Sequence, residues 1–315
     1  MKFWLKILAT AIVLLICIVI AGQLMISYQF AQLLTHYPKS SRAEAIQHKP
    51  SNQVENIFAA FGVQDYEKLT LQTSDKLNLE AIYIPSQNQA SVILLHGYKG
   101  YLYETAHIAS LLQKHGYGAI LPVFRAHGYS DGKLITFGKH EVKDVQAAYD
   151  YLLTRDDVNP EKIGLIGNSM GGSIGLLYAA TNPQIKAIVA QSPYGSLHDT
   201  ADAGLAKFTN LQGFPYNKMM EYFIQKIADI NIDELAPIDV IADIAPRPVF
   251  IMVGGMDSVV APKGGVALHD AAQEPKELWV GQNLDHAQFN LRRADDFEGR
   301  VTAFFDQYLL ELETE

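Results

Sequence analysis

The sequence predicts an α/β protein with a mostly parallel sheet, preceded by an apolar N-terminal helix. Three observations predict it. Short apolar runs alternate with helical stretches, an uncharged segment of about 20 residues opens the chain, and a serine between glycines directly follows one run. Composition permits such a core, since 49% of the 315 residues are hydrophobic and 19% are charged. About 150 residues per domain would suggest two units, but α/β folds often run to roughly 250 or more as one.

The same arithmetic excludes several classes. With 25 basic and 34 acidic residues the net charge is −9, so nothing neutralises a polyanion and no nucleic-acid partner is expected. The single cysteine, Cys17, lies inside the apolar opening segment. That leaves no intrachain disulfide, no thiolate metal site and no cysteine nucleophile in the body. His-Glu-x-x-His and EF-hand spacings are missing, as are complete dinucleotide and Walker loops. No metal and no cofactor are expected.

Ile7 to Ile26 carries no formal charge, and about 20 residues at ~1.5 Å each match a ~30 Å hydrocarbon core. This reads as an uncleaved signal anchor, residues 1–30, that makes the protein single-pass. The alternatives are a cleaved signal with a weak site at Val19-Ile20-Ala21, or a buried soluble helix. Leu14-Leu15-Ile16-Cys17 is a poor lipoprotein box because Ile16 is large. Lys2 and Lys6 precede the span, whereas the next basic residues are Lys39 and Arg42. The folded body is therefore expected outside the cytoplasm. Residues 31–65 read as a linker, with Pro38, Pro50 and a short helix near Val54–Phe61.

From residue 66 to 315 one domain is expected. Tyr66–Thr73 and Leu77–Ile84 read as two strands around the Ser74-Asp75-Lys76 turn. Ser91–Leu95, Gly118–Val123, Ile163–Ile166, Ala187–Ala190, Val249–Val253 and Glu277–Val280 read as buried parallel strands. Val142, Val145, Tyr149 and Leu152 give His140–Leu153 one apolar face, and Asp295–Leu310 closes the chain with a similar pattern. The interval from Ser192 to Asp243 lacks strands and is rich in large apolar residues. It reads as a helical cap, about 195–243, over the strands' C-terminal edge, where open α/β sheets bind ligands. Phe208, Phe214, Tyr222 and Phe223 are its candidate substrate-binding residues.

Gly167-Asn168-Ser169-Met170-Gly171 lies between the strand Ile163–Ile166 and a helix at Gly171–Ala180. A nucleophilic serine needs this strand–turn–helix setting, because the tight turn holds the hydroxyl clear of the sheet. The hydroxyl also needs a base, itself oriented by a carboxylate. Asp257 follows the strand Val249–Val253 and His286 follows Glu277–Val280, so both fall at the sheet edge of Ser169. Two N–H donors for a tetrahedral oxygen are expected from Met170 and, in the loop His96-Gly97-Tyr98-Lys99-Gly100, from Tyr98.

These residues resemble the α/β-hydrolase superfamily and, within it, the serine aminopeptidase S33-like group of esterases and lipase-like proteins. The resemblance runs from about Tyr66 to Leu310. It rests on His96-Gly97, on Arg125-Ala126-His127-Gly128-Tyr129-Ser130-Asp131-Gly132, and on Thr136-Phe137-Gly138 with Glu141 and Asp144. The serine motif, Asp257 with Val260 and Pro262, and His286 complete it. Phe124 and Ala126 depart from the group's usual Asp-x-Arg-Gly-His-Gly loop, which is expected to support the serine turn through Arg125.

The resemblance implies a serine hydrolase that cleaves carboxylic esters through an acyl-enzyme on Ser169, with a small-molecule or lipid-like ester as substrate. An aminopeptidase or amidase, or a lysophospholipase or thioesterase, would use the same three residues. A peptidase would need an acidic cap residue for the substrate's amine, with Glu221, Asp229, Asp233 and Glu234 as candidates. From another class, a non-catalytic binding protein could keep the fold.

Overall fold

The computed structural model describes residues 2–37, 53–200 and 213–311. Eight strands form one sheet in the order β1-β2-β4-β3-β5-β6-β7-β8. β1 (Glu67–Gln72) and β2 (Asn78–Ile84) are antiparallel to each other, and β2 is antiparallel to β4 (Gly118–Pro122). β3 (Ser91–Leu95), β5 (Ile163–Asn168), β6 (Ala187–Gln191), β7 (Val249–Gly254) and β8 (Lys276–Gly281) run parallel to β4. Each expected strand is present, with ends shifted by one or two residues. The fold class read from the apolar runs is the one observed.

Continuous apolar strands need cover on both faces. Along β3, Val92 and Leu94 join one core while Ile93 and Leu95 join the other, as the two-residue period of a strand dictates. The helices of nine or more residues among the described residues are α1 (Lys2–Thr35), α2 (Gln53–Phe61), α3 (Leu102–Lys114), α4 (Glu141–Leu152), α5 (Met170–Thr181), α6 (Tyr216–Ala228), α7 (Pro262–Ala271) and α8 (Ala294–Phe305). Phe58 of α2, Ile108 of α3 and Val301 of α8 belong to the Val92 core. Val145 of α4, Ile174 of α5 and Leu268 of α7 belong to the Ile93 core.

Strand order positions the site. β3 lies between β4 and β5, so the chain crosses to opposite faces on leaving β3 and β5, opening a crevice at their C-terminal ends. Leu95 pairs with Gly167, which sets the His96 loop beside Ser169. Gly254 pairs with Gly281, which sets the loops bearing Asp257 and His286 side by side.

Helix α1 is long and apolar enough to cross a membrane. It runs past Ile26, the expected end of the span, and past residue 30 into the stretch read as linker, where Ala31 and Thr35 are buried against the body.

Candidate active site

Ser169 sits at φ 52° and ψ −118°, a backbone that non-glycine residues seldom adopt. The two motif glycines make that turn possible. A Cβ on Gly167 would lie 2.4 Å from the Gly171 backbone, and one on Gly171 would lie 2.5 Å from the carbonyl oxygens of Leu95 and His96. β5 and α5 can approach this closely only without those side chains.

The structure brings Ser169, His286 and Asp257 into one hydrogen-bonded line. His286 Nε2 lies 2.8 Å from Ser169 Oγ, and His286 Nδ1 lies 2.8 Å from Asp257 Oδ2. The carboxylate can only accept, so Nδ1–H donates to Asp257 and Nε2 accepts from the serine hydroxyl. Asp257 is fixed in turn, since its Oδ1 accepts the backbone N–H groups of Val259 at 2.9 Å and Val260 at 2.8 Å.

Asp285, next to His286 in the sequence, braces the two loops. Its Oδ1 accepts from the N–H groups of Ser258 and His286, both at 2.8 Å, and its Oδ2 accepts from Ser258 Oγ at 3.3 Å. Nothing in the sequence separates it from an ordinary loop acid except its place between Leu284 and His286.

The amides of Tyr98 and Met170 donate to no other group among the described residues. Met170 opens α5, where a helix leaves its first N–H groups without partners. In the loop after β3 the amides of Gly97, Lys99 and Gly100 are committed. Gly97 N donates to Glu104 Oε2 at 2.8 Å, Lys99 N to His127 Nε2 at 3.1 Å, and Gly100 N to Gly97 O at 3.0 Å. Glu104 carried no sequence signal, yet it lies half-buried beside Ser169 and His286, where desolvation pushes its carboxyl up.

The loop expected to support the serine turn through Arg125 supports the His96 loop instead. Phe124 N donates to His96 Nε2 at 3.0 Å, and His127 receives the Lys99 amide. Burial, with His127 close by, holds His96 down to about 3, so it serves as a neutral acceptor. Arg125 reaches elsewhere. Its Nε and Nη2 donate to Asp144 at 2.9 and 2.7 Å, and its Nη1 donates to Asp75 at 2.9 Å. The hydrogen-bonded guanidinium holds Asp75 well below the usual carboxylate range.

Two spaces open on Ser169. One, of about 130 Å³, is apolar and lined by Tyr98, Phe137, Met220, Ile224 and, from α1, Phe30 and Leu34. The other, of about 500 Å³, is more polar, with Glu104, His107, His286 and Asn290 on its walls. Of the expected cap residues, Phe214, Tyr222 and Phe223 are not among the described residues that line the apolar wall. Phe214 is 84% exposed and Tyr222 54% exposed, Phe223 packs its ring 5.4 Å from Tyr28, and Phe208 lies outside the described residues. α6 turns Met220 and Ile224 inward, four residues apart on one face, and this leaves Tyr222 outward.

Glu221 lines the apolar space, but its carboxylate is occupied. His198 Nδ1 lies 3.0 Å from Oε1 and Lys218 Nζ lies 2.7 Å from Oε2.

A family model described as alpha/beta hydrolase fold matches residues 90–218. The chain is 20% identical to the uncharacterised protein YqkD of Bacillus subtilis over 298 residues, covering 94% of this chain and 97% of that one. It is 28% identical to the uncharacterised protein YfhR of Salmonella typhi over 256 residues, covering 76% and 78%. Among solved structures it resembles an esterase of Pyrococcus furiosus, with a TM-score of 0.67, 25% identity, and coverage of 80% and 94%. By architecture and by these likenesses the chain is an α/β-hydrolase-fold protein.

Proposed function

We propose that this protein is a membrane-anchored serine hydrolase that cleaves carboxylic esters through an acyl-enzyme on Ser169. The observation that carries the reading is the line Ser169–His286–Asp257, with both hydrogen bonds at 2.8 Å, opening on an apolar cavity. His286 takes the hydroxyl proton as Ser169 attacks the ester carbonyl. The Tyr98 and Met170 N–H groups receive the developing oxyanion. His286, aligned by Asp257, then protonates the leaving alcohol and activates water for deacylation. The apolar cavity suits the acyl part and the larger, less apolar cleft beside His286 suits the alcohol. The likeness to the Pyrococcus furiosus esterase supports ester substrates.

Aminopeptidase chemistry, as in the S33-like group, needs a carboxylate free to hold an amine. Glu221, the candidate that faces the cavity, is already engaged by His198 and Lys218. Ester hydrolysis needs no such group.

A fluorophosphonate probe should label Ser169 in the full-length protein. Ser169→Ala should abolish that labelling and lower ester kcat by several orders of magnitude without unfolding the chain. Near-normal turnover by Ser169→Ala on every ester tested would refute the assignment.

A further inference from the structure

Helix α1 runs unbroken from Lys2 to Thr35, yet its surroundings change along its length. Up to Ile26 its large apolar side chains are exposed, whereas Ser27, Ala31 and Thr35 are buried against the body. On this second stretch Phe30 and Leu34, four residues apart and therefore on one face, line the apolar cavity at Ser169.

The end of the helix is also tied down. Tyr98 Oη donates to Leu34 O at 3.0 Å, Lys99 Nζ to Leu33 O at 2.9 Å, and Ile135 N to Thr35 O at 2.8 Å. These are carbonyls that a helix C-terminus otherwise leaves without partners. Tyr98 and Lys99 belong to the loop that presents the free Tyr98 amide, so the helix end and the oxyanion loop hold each other. α6 closes the other side, with the Tyr28 and Phe223 rings 5.4 Å apart.

Distance along the helix adds a constraint. At ~1.5 Å per residue, Phe30 lies about 6 Å and Leu34 about 12 Å beyond Ile26. A headgroup layer is on the order of 5–7 Å thick. The cavity wall therefore starts at headgroup level and continues the span itself. A cavity of about 130 Å³ is comparable to one that holds a benzene ring, which suits one acyl segment and not two. Lifting a chain out of the bilayer costs about fourfold in equilibrium constant for each methylene left in water. A single-chain ester can rebury the segment of its chain that enters the cavity, whereas a two-chain lipid would leave its second chain wholly uncovered.

We propose that the last two turns of α1 are a specificity-determining wall of the acyl site, through which the enzyme draws single-chain acyl esters from the adjoining bilayer surface. This rests on the serine hydrolase and anchor readings above. The wall residues set how much chain is buried, and the span sets where that chain comes from.

The test uses the full-length protein in phosphatidylcholine vesicles carrying monolauroylglycerol or dilauroylglycerol, with p-nitrophenyl acetate as the soluble comparison. The unsubstituted protein should cleave the monoester at least a hundredfold faster than the diester, at a rate that follows mole fraction in the vesicle. Phe30→Trp and Leu34→Phe, each filling the cavity from α1, should lower the ratio of monolauroyl to acetyl turnover at least tenfold. Fluorophosphonate labelling identifies the folded fraction of each variant. Ratios within twofold of the unsubstituted protein in both labelled variants would overturn the wall. Equal rates on monoester and diester, or a rate that follows bulk concentration, would overturn single-chain loading from the bilayer. If the unsubstituted protein neither labels nor cleaves the acetate, the hydrolase reading itself fails, and this proposal fails with it.

Discussion

A carboxylate that accepts two backbone N–H groups and one imidazole N–H leaves its histidine a single useful orientation. Asp257 is held this way by Val259, Val260 and His286, so on the serine hydrolase reading its contribution would be tautomer control. Asp257→Asn should therefore keep the fold but lower ester kcat about 10⁴-fold, because an amide in its place favours the wrong tautomer. Steady-state kinetics against an unchanged circular dichroism spectrum would check this, and a loss below tenfold would show that the acid is another group. Arg125 illustrates the opposite case, a buried charge far from chemistry. Its side chain is 5% exposed and that of its partner Asp144 0%. Removing one partner of such a pair leaves the other uncompensated, so Arg125→Met should cost about 3–5 kcal/mol of unfolding free energy. Urea denaturation would measure it, and a change below 1 kcal/mol would mean that Asp144 finds another partner. Ser169, Asp257 and His286 were legible in sequence because each follows an apolar strand. Asp285 and Glu104 were not, because their roles depend on which loops and helices the sheet order brings together.

Elements differ in how much of their burial the sequence reveals. β3 to β7 were legible because strands covered on both faces must be apolar throughout, and turn residues bound them sharply. α6 was read only as part of an aromatic-rich interval, and counting aromatics chose Phe214 and Tyr222, both exposed. Helical period would have chosen better, since Met220 and Ile224 recur on one face and reach the cavity. α6 is also held by charge. His198 Nδ1 meets Glu221, which Lys218 also engages, while His198 Nε2 meets Asp233 at 2.8 Å. The hydrogen bond to Asp233 and then the nearby Glu221 carboxylate raise His198 above its ordinary value of 6.5. A group raised in the folded state contributes stability that is fully present below its unfolded value and is lost as pH rises through the folded one. The contact should thus be tightest at about pH 5.5 and weaken above neutrality. Hydrogen exchange over α6 should accelerate more from pH 5.5 to 8.5 than the intrinsic chemical rate predicts, and His198→Gln should remove that excess. An equal excess in His198→Gln would assign the change to another group.

At the scale of the whole molecule, α1 and the candidate site cannot be treated as separate modules. Read by hydropathy alone, α1 ends near Ile26, because a transfer scale registers an apolar run and not what that run touches. Phe30 and Leu34 look like the fading end of a span, although they face Ser169 across the cavity. On the anchor reading proposed above, this geometry makes orientation a functional question, since the membrane face beside the cavity would decide which leaflet supplies or receives material. Lys2 and Lys6 precede the span, and the next basic residues in sequence are Lys39 and Arg42. Lys/Arg close to a span tends to stay cytoplasmic, so the N-terminus should remain inside and the hydrolase domain should be translocated. At ~1.5 Å per residue the 34 residues of α1 extend about 51 Å. A hydrocarbon core takes ~30 Å of that, which leaves the helix end free to pack against the body on the far side. The cavity would then face the outer leaflet of the membrane. Protease added to intact cells, or to spheroplasts if an outer membrane is present, should digest the hydrolase domain while a cytoplasmic marker survives. If the domain resists until detergent opens the membrane, the orientation is reversed and the cavity faces the cytoplasmic leaflet.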